Sequence, residues 1–101
     1  MLNQITIVGR IASDLELNEA EDKKVTTITL AVSRSYKNAE GEYETDLVPV
    51  TLWAGIAENT VNYCKKGDIV GVRGRIETKE DKIVIVAEKL SFLSSGSSKG
   101  E

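Results

Sequence analysis

Residues 47–75, LVPVTLWAGIAENTVNYCKKGDIVGVRGR, change their hydrophobic period twice, and this constrains the fold more than any other stretch. Strand side chains switch faces at every residue. Over residues 47–53, Val48, Val50 and Leu52 therefore form an apolar stripe, while Leu47, Pro49, Thr51 and Trp53 fall on the other face. Over 55–65 the spacing turns helical, with Ala57, Val61 and Cys64 at i, i+4 and i+7. Lys65 and Lys66 read as the last helical turn and Gly67 as its close. Cations complement the helix C-terminus, and glycine takes the left-handed conformation that ends it. Residues 68–77 return to a strand. This arrangement leaves the only tryptophan of the chain on the face opposite the core stripe. A partner surface and a stacking platform both account for it there.

The flanking segments alternate as well. Residues 4–11 put Ile5 and Ile7 on one face and Thr6, Val8 and Arg10 on the other. In residues 25–36, Ile28, Leu30 and Val32 share a face, with β-branched residues throughout. Residues 82–90 read as a fifth strand, joined to the fourth by a tight hairpin around TKEDK. Residues 12–24, polar and acidic, read as a loop or irregular strand end, and 37–46 as a hairpin connection with Gly41 near its centre. Five strands with one helix between the third and fourth is the order of an OB-fold, an all-β, partly open Greek-key barrel. Gly9, Gly71 and Gly74 stand where the strands of a small barrel bend sharply. The expected domain covers residues 1–93, with a flexible polar tail over 94–101.

Composition narrows the function. A chain of 101 residues makes one domain. With no histidine and one cysteine, Cys64, it lacks the commonest general base, an internal disulfide and the usual zinc ligands. A binding protein without cofactor or metal is expected, not an enzyme. No run reaches the roughly 18–20 apolar residues of a membrane span, and the N-terminus lacks a signal-peptide pattern, so a cytoplasmic location is expected. The net charge of −3 speaks against a nucleic-acid partner. Its distribution softens that, because nine of the sixteen acids crowd into 14–22 and 40–46. Elsewhere thirteen basic residues face the remaining seven acids, a net of +6. Local potential steers a ligand more than total charge does.

Four stretches in collinear order, MLNQITIVGRI, TITLAVSRSYKNAEGE, LWAGIAENTVNYCKKGDIVGVRGRIET and VIVAEKLSFL, resemble the bacterial single-stranded DNA-binding protein family over residues 1–93. The resemblance implies sequence-independent binding and protection of single-stranded DNA in replication, recombination or repair, at the nucleoid. Such proteins stack bases on aromatic side chains and track phosphates with cations. By position it implies Tyr36 and Trp53 as stacking aromatics, with Thr51 beside Trp53, and Arg10, Arg34, Lys37, Arg73 and Arg75 as backbone contacts. It also implies a homo-oligomer, a tetramer before a dimer, built partly through the N-terminal strands, with Ile5 and Ile7 near the interface. Three departures stand out. Leu47 replaces a stacking aromatic of many members, the connection near Glu80 is shorter than the family's long hairpin, and SSGSSKGE has no acidic tip of the kind that recruits replication and repair proteins. A minimal phage, mobile-element or accessory paralogue fits that pattern.

Each assignment has a plainer counterpart. Trp53 also suits the core or a subunit interface, and Tyr36, in parity with Ile28, Leu30 and Val32, suits a cap on the core. Arg73 and Arg75 suit a solvated or salt-bridged face. Lys65 and Lys66 read as helix-end charges, Tyr63 as helix packing, Cys64 as a small buried apolar residue, and Tyr43, among acids, as a poor phosphate neighbour. For the whole chain the alternatives are a primosomal-type OB-fold protein acting through protein contacts and an interaction module without DNA binding. An enzyme lacks support, since Glu42 and Glu44 have no nucleophile–base pair or metal set beside them.

Overall fold

The computed structural model describes residues 2–95. In chain order the elements are β1 (Ile5–Ile11), β2 (Asn18–Ala20), β3 (Lys23–Lys37), β4 (Tyr43–Trp53), α1 (Ala54–Tyr63), β5 (Ile69–Lys79) and β6 (Lys82–Ser94). Their lateral order is β1-β5-β6-β4-β3-β2, and a further pairing of β1 with β3 closes the five long strands into a barrel. All neighbours are antiparallel except β4 and β6, where Val50 lies opposite Ile85 and Thr51 opposite Val86. This is the OB-fold expected from the element order, with its helix between the third and fourth long strands.

The period-two pattern sorts the side chains. Ile28 and Leu30 of β3, Val50 and Leu52 of β4, and Val70 and Val72 of β5 all lie at 0–1% exposure inside the barrel. Burying one such side chain is worth about 1.5–3 kcal/mol over leaving it in water. Ala57 and Thr60 press the buried face of α1 onto this core, and Ile56 and Cys64 pack beside it. Ile11 completes the closure. Its side chain is buried opposite Leu30, its N–H donates to the Asp68 carbonyl at 2.8 Å, and its carbonyl accepts from Gly67 N–H at 2.8 Å.

Several expectations need correction. The segment 12–24 is not simply a loop, because β2 and β3 form a hairpin around Glu21 and Asp22, with φ of 56° and 65°. Glu80 and Asp81 repeat that geometry at φ 53° and 67°, bearing out the tight hairpin there. Two consecutive positive φ values match the right-handed twist of the flanking strands. The first hairpin was hidden because β2 has three residues and no apolar alternation. The connection 37–46 is narrower than expected, since Lys37 still pairs with Tyr43. Asn38 tightens the turn, its Oδ1 accepting from the N–H groups of Glu40 and Glu42 at 2.9 and 3.0 Å.

The helix ends earlier than its charges suggested. Cys64 is already extended, so Lys65 and Lys66 lie outside α1. The Asp68 carboxylate accepts the Lys65 N–H at 2.9 Å, and the Asp68 N–H returns to the Lys65 carbonyl at 3.1 Å. Gly67, at φ 102°, is therefore the third residue of a tight turn that needs a left-handed backbone, and not the helix cap. β6 runs on to Ser94, and the tail expected over 94–101 lies, from residue 96, outside the described residues.

The three strand glycines separate. A Cβ on Gly74 would collide with the Val86 carbonyl, and one on Gly9 would sit 2.8 Å from the Ala31 carbonyl. At Gly71 the nearest atom, Leu93 Cδ1, is at an ordinary 3.6 Å, so that site requires no glycine. Gly74→Ala is expected to cost about 1–3 kcal/mol through overpacking against a rigid backbone. Gly71→Ala should change stability by less than about 1 kcal/mol. Urea denaturation of the two variants checks the contrast, and equal losses would contradict it.

Candidate nucleic-acid interface

The face of β3 and β4 turned away from the core is a continuous surface. Its register sets Val25 opposite Trp53, Thr27 opposite Thr51, Thr29 opposite Pro49 and Ala31 opposite Leu47. Arg10 pairs with Ala31 from the other side, so the last row extends onto β1. Leu47 is 66% exposed, and Thr51 and Trp53 are half-buried. The strand pattern thus placed Trp53 correctly off the core. Trp53 also stands at a corner. It is extended at φ −119°, and Ala54 turns the chain into α1 through a positive φ of 55°. The indole lines a groove of about 680 Å³ with Glu21, Lys23, Arg75 and Glu88 on its walls.

At the far end of the same two strands, β3 bulges. Between the pairs Ser33–Thr45 and Lys37–Tyr43 it holds two more residues than β4. A bulge bends the strand and re-aims its side chains, and Tyr36 emerges 63% exposed. Tyr36 therefore does not cap the core. Tyr43 is 58% exposed, and Lys37 Nζ sits 5.7 Å from its ring centroid, a cation–π distance. Its acidic sequence neighbours concealed that pairing. Tyr63, expected in helix packing, is 80% exposed on α1.

The basic candidates fall into two groups. Arg34 is clamped: Nη2 and Nε donate to Asp46 at 2.8 and 3.1 Å, and Nη1 to Glu44 at 2.9 Å. Arg75 is clamped too, by Glu77 at 2.7 Å and Glu88 at 3.2 Å. Hydrogen bonding to Arg34 holds the Asp46 carboxyl below its ordinary value, with burial opposing. Arg10, Lys37 and Arg73 have no carboxylate partner among the described residues. Arg10 Nη1 donates to the neutral Gly67 carbonyl at 2.8 Å, Lys37 meets only the Tyr43 ring, and Arg73, opposite Thr6 and Lys89, makes no ion pair among the described residues. Of the solvated or salt-bridged face read for the fourth-strand arginines, Arg75 shows the salt-bridged form and the exposed Arg73 the solvated one. Cys64 is half-buried, and that burial pushes its thiol pKa up, so it is a packing residue and a poor nucleophile.

Trp53 is brought together with Thr51 and Arg75, and Tyr36 with Lys37. Sequence reasoning missed Glu21, Lys23 and Glu88 at the Trp53 groove and discounted Tyr43. Only the Glu-Asp pair shared by 21–22 and 80–81 hinted at the first turn.

Comparison with known proteins agrees with this architecture. The model of the single-strand binding protein family matches residues 2–93. Single-stranded DNA-binding protein B of Bacillus subtilis is 51% identical over 80 residues, 78% of this chain and 71% of that protein. Single-stranded DNA-binding protein 3 of Listeria innocua is 41% identical over 94% of this chain and 66% of its own length. A Streptococcus mutans relative, named single-stranded DNA-binding protein, is 42% identical, and the match spans 49% of it. The fold is shared with the solved structure of the second single-stranded DNA-binding protein of Mycobacterium smegmatis. That match has a TM-score of 0.72 at 22% identity and covers 89% of this chain and 87% of that one. With the family model spanning nearly the whole described barrel, the chain belongs to the single-strand binding protein family.

Proposed function

We propose that the chain binds and protects single-stranded DNA across many sequences, in replication, recombination or repair, and performs no chemistry on it. One observation carries this reading: the outer face bears aromatic rings off the core with cations that, among the described residues, no carboxylate neutralises. Bases stack on Trp53, Tyr36 and Tyr43, at about 1–3 kcal/mol per base whatever the base. Arg10, Lys37 and Arg73 meet the phosphates. Arg34 and Arg75 reach them only by exchanging carboxylate for phosphate, and Thr51 and Leu47 floor the path. The names of the relatives support this over a primosomal-type role. The binding domain is residues 1–93, and the protein works at the nucleoid in the cytoplasm. Among the described residues no helix is long and apolar enough to cross a membrane.

The working form is a homo-oligomer, a tetramer before a dimer. Val8 and Leu93 are 54% and 52% exposed and flank Gly71 on the outside of β1, β5 and β6. Ile7 packs against the core, so the residue β1 offers a partner is Val8, not Ile7. Residues 5–9 of β1 pair only with β5 among the described strands, and such an edge invites a second strand.

Titration of Trp53 fluorescence with a thymidine homopolymer is expected to show strong quenching. Three unclamped cations predict a log–log salt slope of about −2 per protomer, at about −0.7 per phosphate. A slope near −3.5 would mean that both clamps open. Trp53→Ala should lose about 1–3 kcal/mol, and absence of binding at low salt would refute the reading.

Acidification tests the Arg34 clamp. Because the folded Asp46 pKa is depressed, its pairing is intact above the ordinary carboxylate value of about 3.9 and is lost only as pH falls through the lowered one. With no histidine present, thymidine binding should stay flat from pH 8 to about 5.5. A rise in affinity within that range would contradict the clamp.

For the oligomer, Val8→Asp with Leu93→Asp should lower the mass measured by light scattering. An unchanged mass would rule out that face.

A further inference from the structure

Tyr36 and Tyr43 stand on open surface, where a stacked base turns its edges to water. Trp53 is different. It is half-buried in a groove of about 680 Å³, roomy enough for a nucleotide, with polar side chains around it. Of the charged groups there, Arg75 and Glu88 neutralise each other at 3.2 Å. Glu21 makes no ion pair among the described residues. It sits on the two-residue β2–β3 turn, fixed by three ladder pairs from Asn18–Val25 to Ala20–Lys23. The pairing of Val25 with Trp53 holds that turn beside the indole. Trp53 and Glu21 thus line one groove, Glu21 on a rigid support.

An ionised carboxylate only accepts hydrogen bonds. Cytosine and adenine offer exocyclic amino N–H donors on their edges, as does guanine, while thymine and uracil offer a single ring N3–H flanked on both sides by carbonyl oxygens that a carboxylate repels. We infer that the Trp53 groove is a base-reading subsite that favours bases with an exocyclic amino group, with Glu21 accepting from that group. The inference rests on the DNA-binding reading above and adds a preference at one position of an otherwise tolerant path. Glu21 acts there as a specificity residue.

Oligomers of dC and dU of equal length, compared at pH 8 with the full chain, isolate this edge, because the two bases share a ring and differ at C4 and N3. The expected result is about fivefold tighter binding of dC, the size of one added hydrogen bond. The advantage should vanish with N4,N4-dimethylcytosine, which stacks but cannot donate. It should also vanish in Glu21→Asn, a shorter, uncharged side chain suited to a left-handed turn position. Equal affinity for dC and dU overturns the subsite, as does a preference that survives in Glu21→Asn or with the dimethylated base. Each of those results leaves the DNA-binding reading standing. No binding of any oligomer at low salt overturns that reading and the subsite with it.

Discussion

Everything on the outer surface depends on the closure of β1 across β3. That seam is short, with Arg10 opposite Ala31 and Ile11 opposite Leu30, and its backbone bonds run from Ile11 to Gly67 and Asp68. Ile11 is thus shared by three elements, and its burial fixes their spacing. Once the seam is shut, alternation leaves no choice about Arg10, which must face outward beside Ala31 and Leu47. The same seam brings the Gly67 carbonyl within 2.8 Å of the Arg10 guanidinium, orienting the cation without neutralising it. A neutral acceptor holds the side chain and leaves its charge available.

The acidic residues follow a comparable logic. A net charge of −3 seems at odds with a polyanionic ligand. Yet Glu44, Asp46, Glu77 and Glu88 are spent on Arg34 and Arg75, in pairs exposed enough to add little stability. Such pairs restrain the guanidinium groups and weaken the long-range pull on phosphate. In the proposed binding mode stacking then carries a larger share of affinity than it would on a strongly basic face, and a contact dominated by stacking is less sensitive to salt.

Much of this was legible in the sequence, and the failures have physical causes. The core stripes of β3 and β4 were readable because one face is buried and the other wet, so Val50 and Leu52 alternate cleanly with Thr51 and Trp53. β2 was not, since three polar residues carry no period. The end of α1 was misread because Lys65 and Lys66 favour a helix C-terminus, whereas the Asp68 carboxylate captures the Lys65 N–H and pulls the chain into a turn. The alternative of Tyr36 as a core cap fails because parity holds only while the ladder is regular, and a two-residue bulge intervenes. At the interface, residue types were visible but partners were not. Arg34 and Arg73 look alike in sequence, yet one is held by two carboxylates and the other, among the described residues, by none. Only register reveals which.

The groove at Trp53 shows why that difference matters. Its parts come from five places in the chain: Glu21 from the first hairpin turn, Lys23 from the start of β3, Trp53 from the end of β4, Arg75 from β5 and Glu88 from β6. No contiguous motif encodes such a site. It arises because the first tight turn and a strand-to-helix corner at Ala54 meet where the parallel β4–β6 contact ends. None of the five belongs to the buried cluster, so the site can change while the barrel does not. The carboxylate on the first turn therefore need not be a packing requirement. A site assembled from turns can set its preference among bases independently of the strands that hold the fold together.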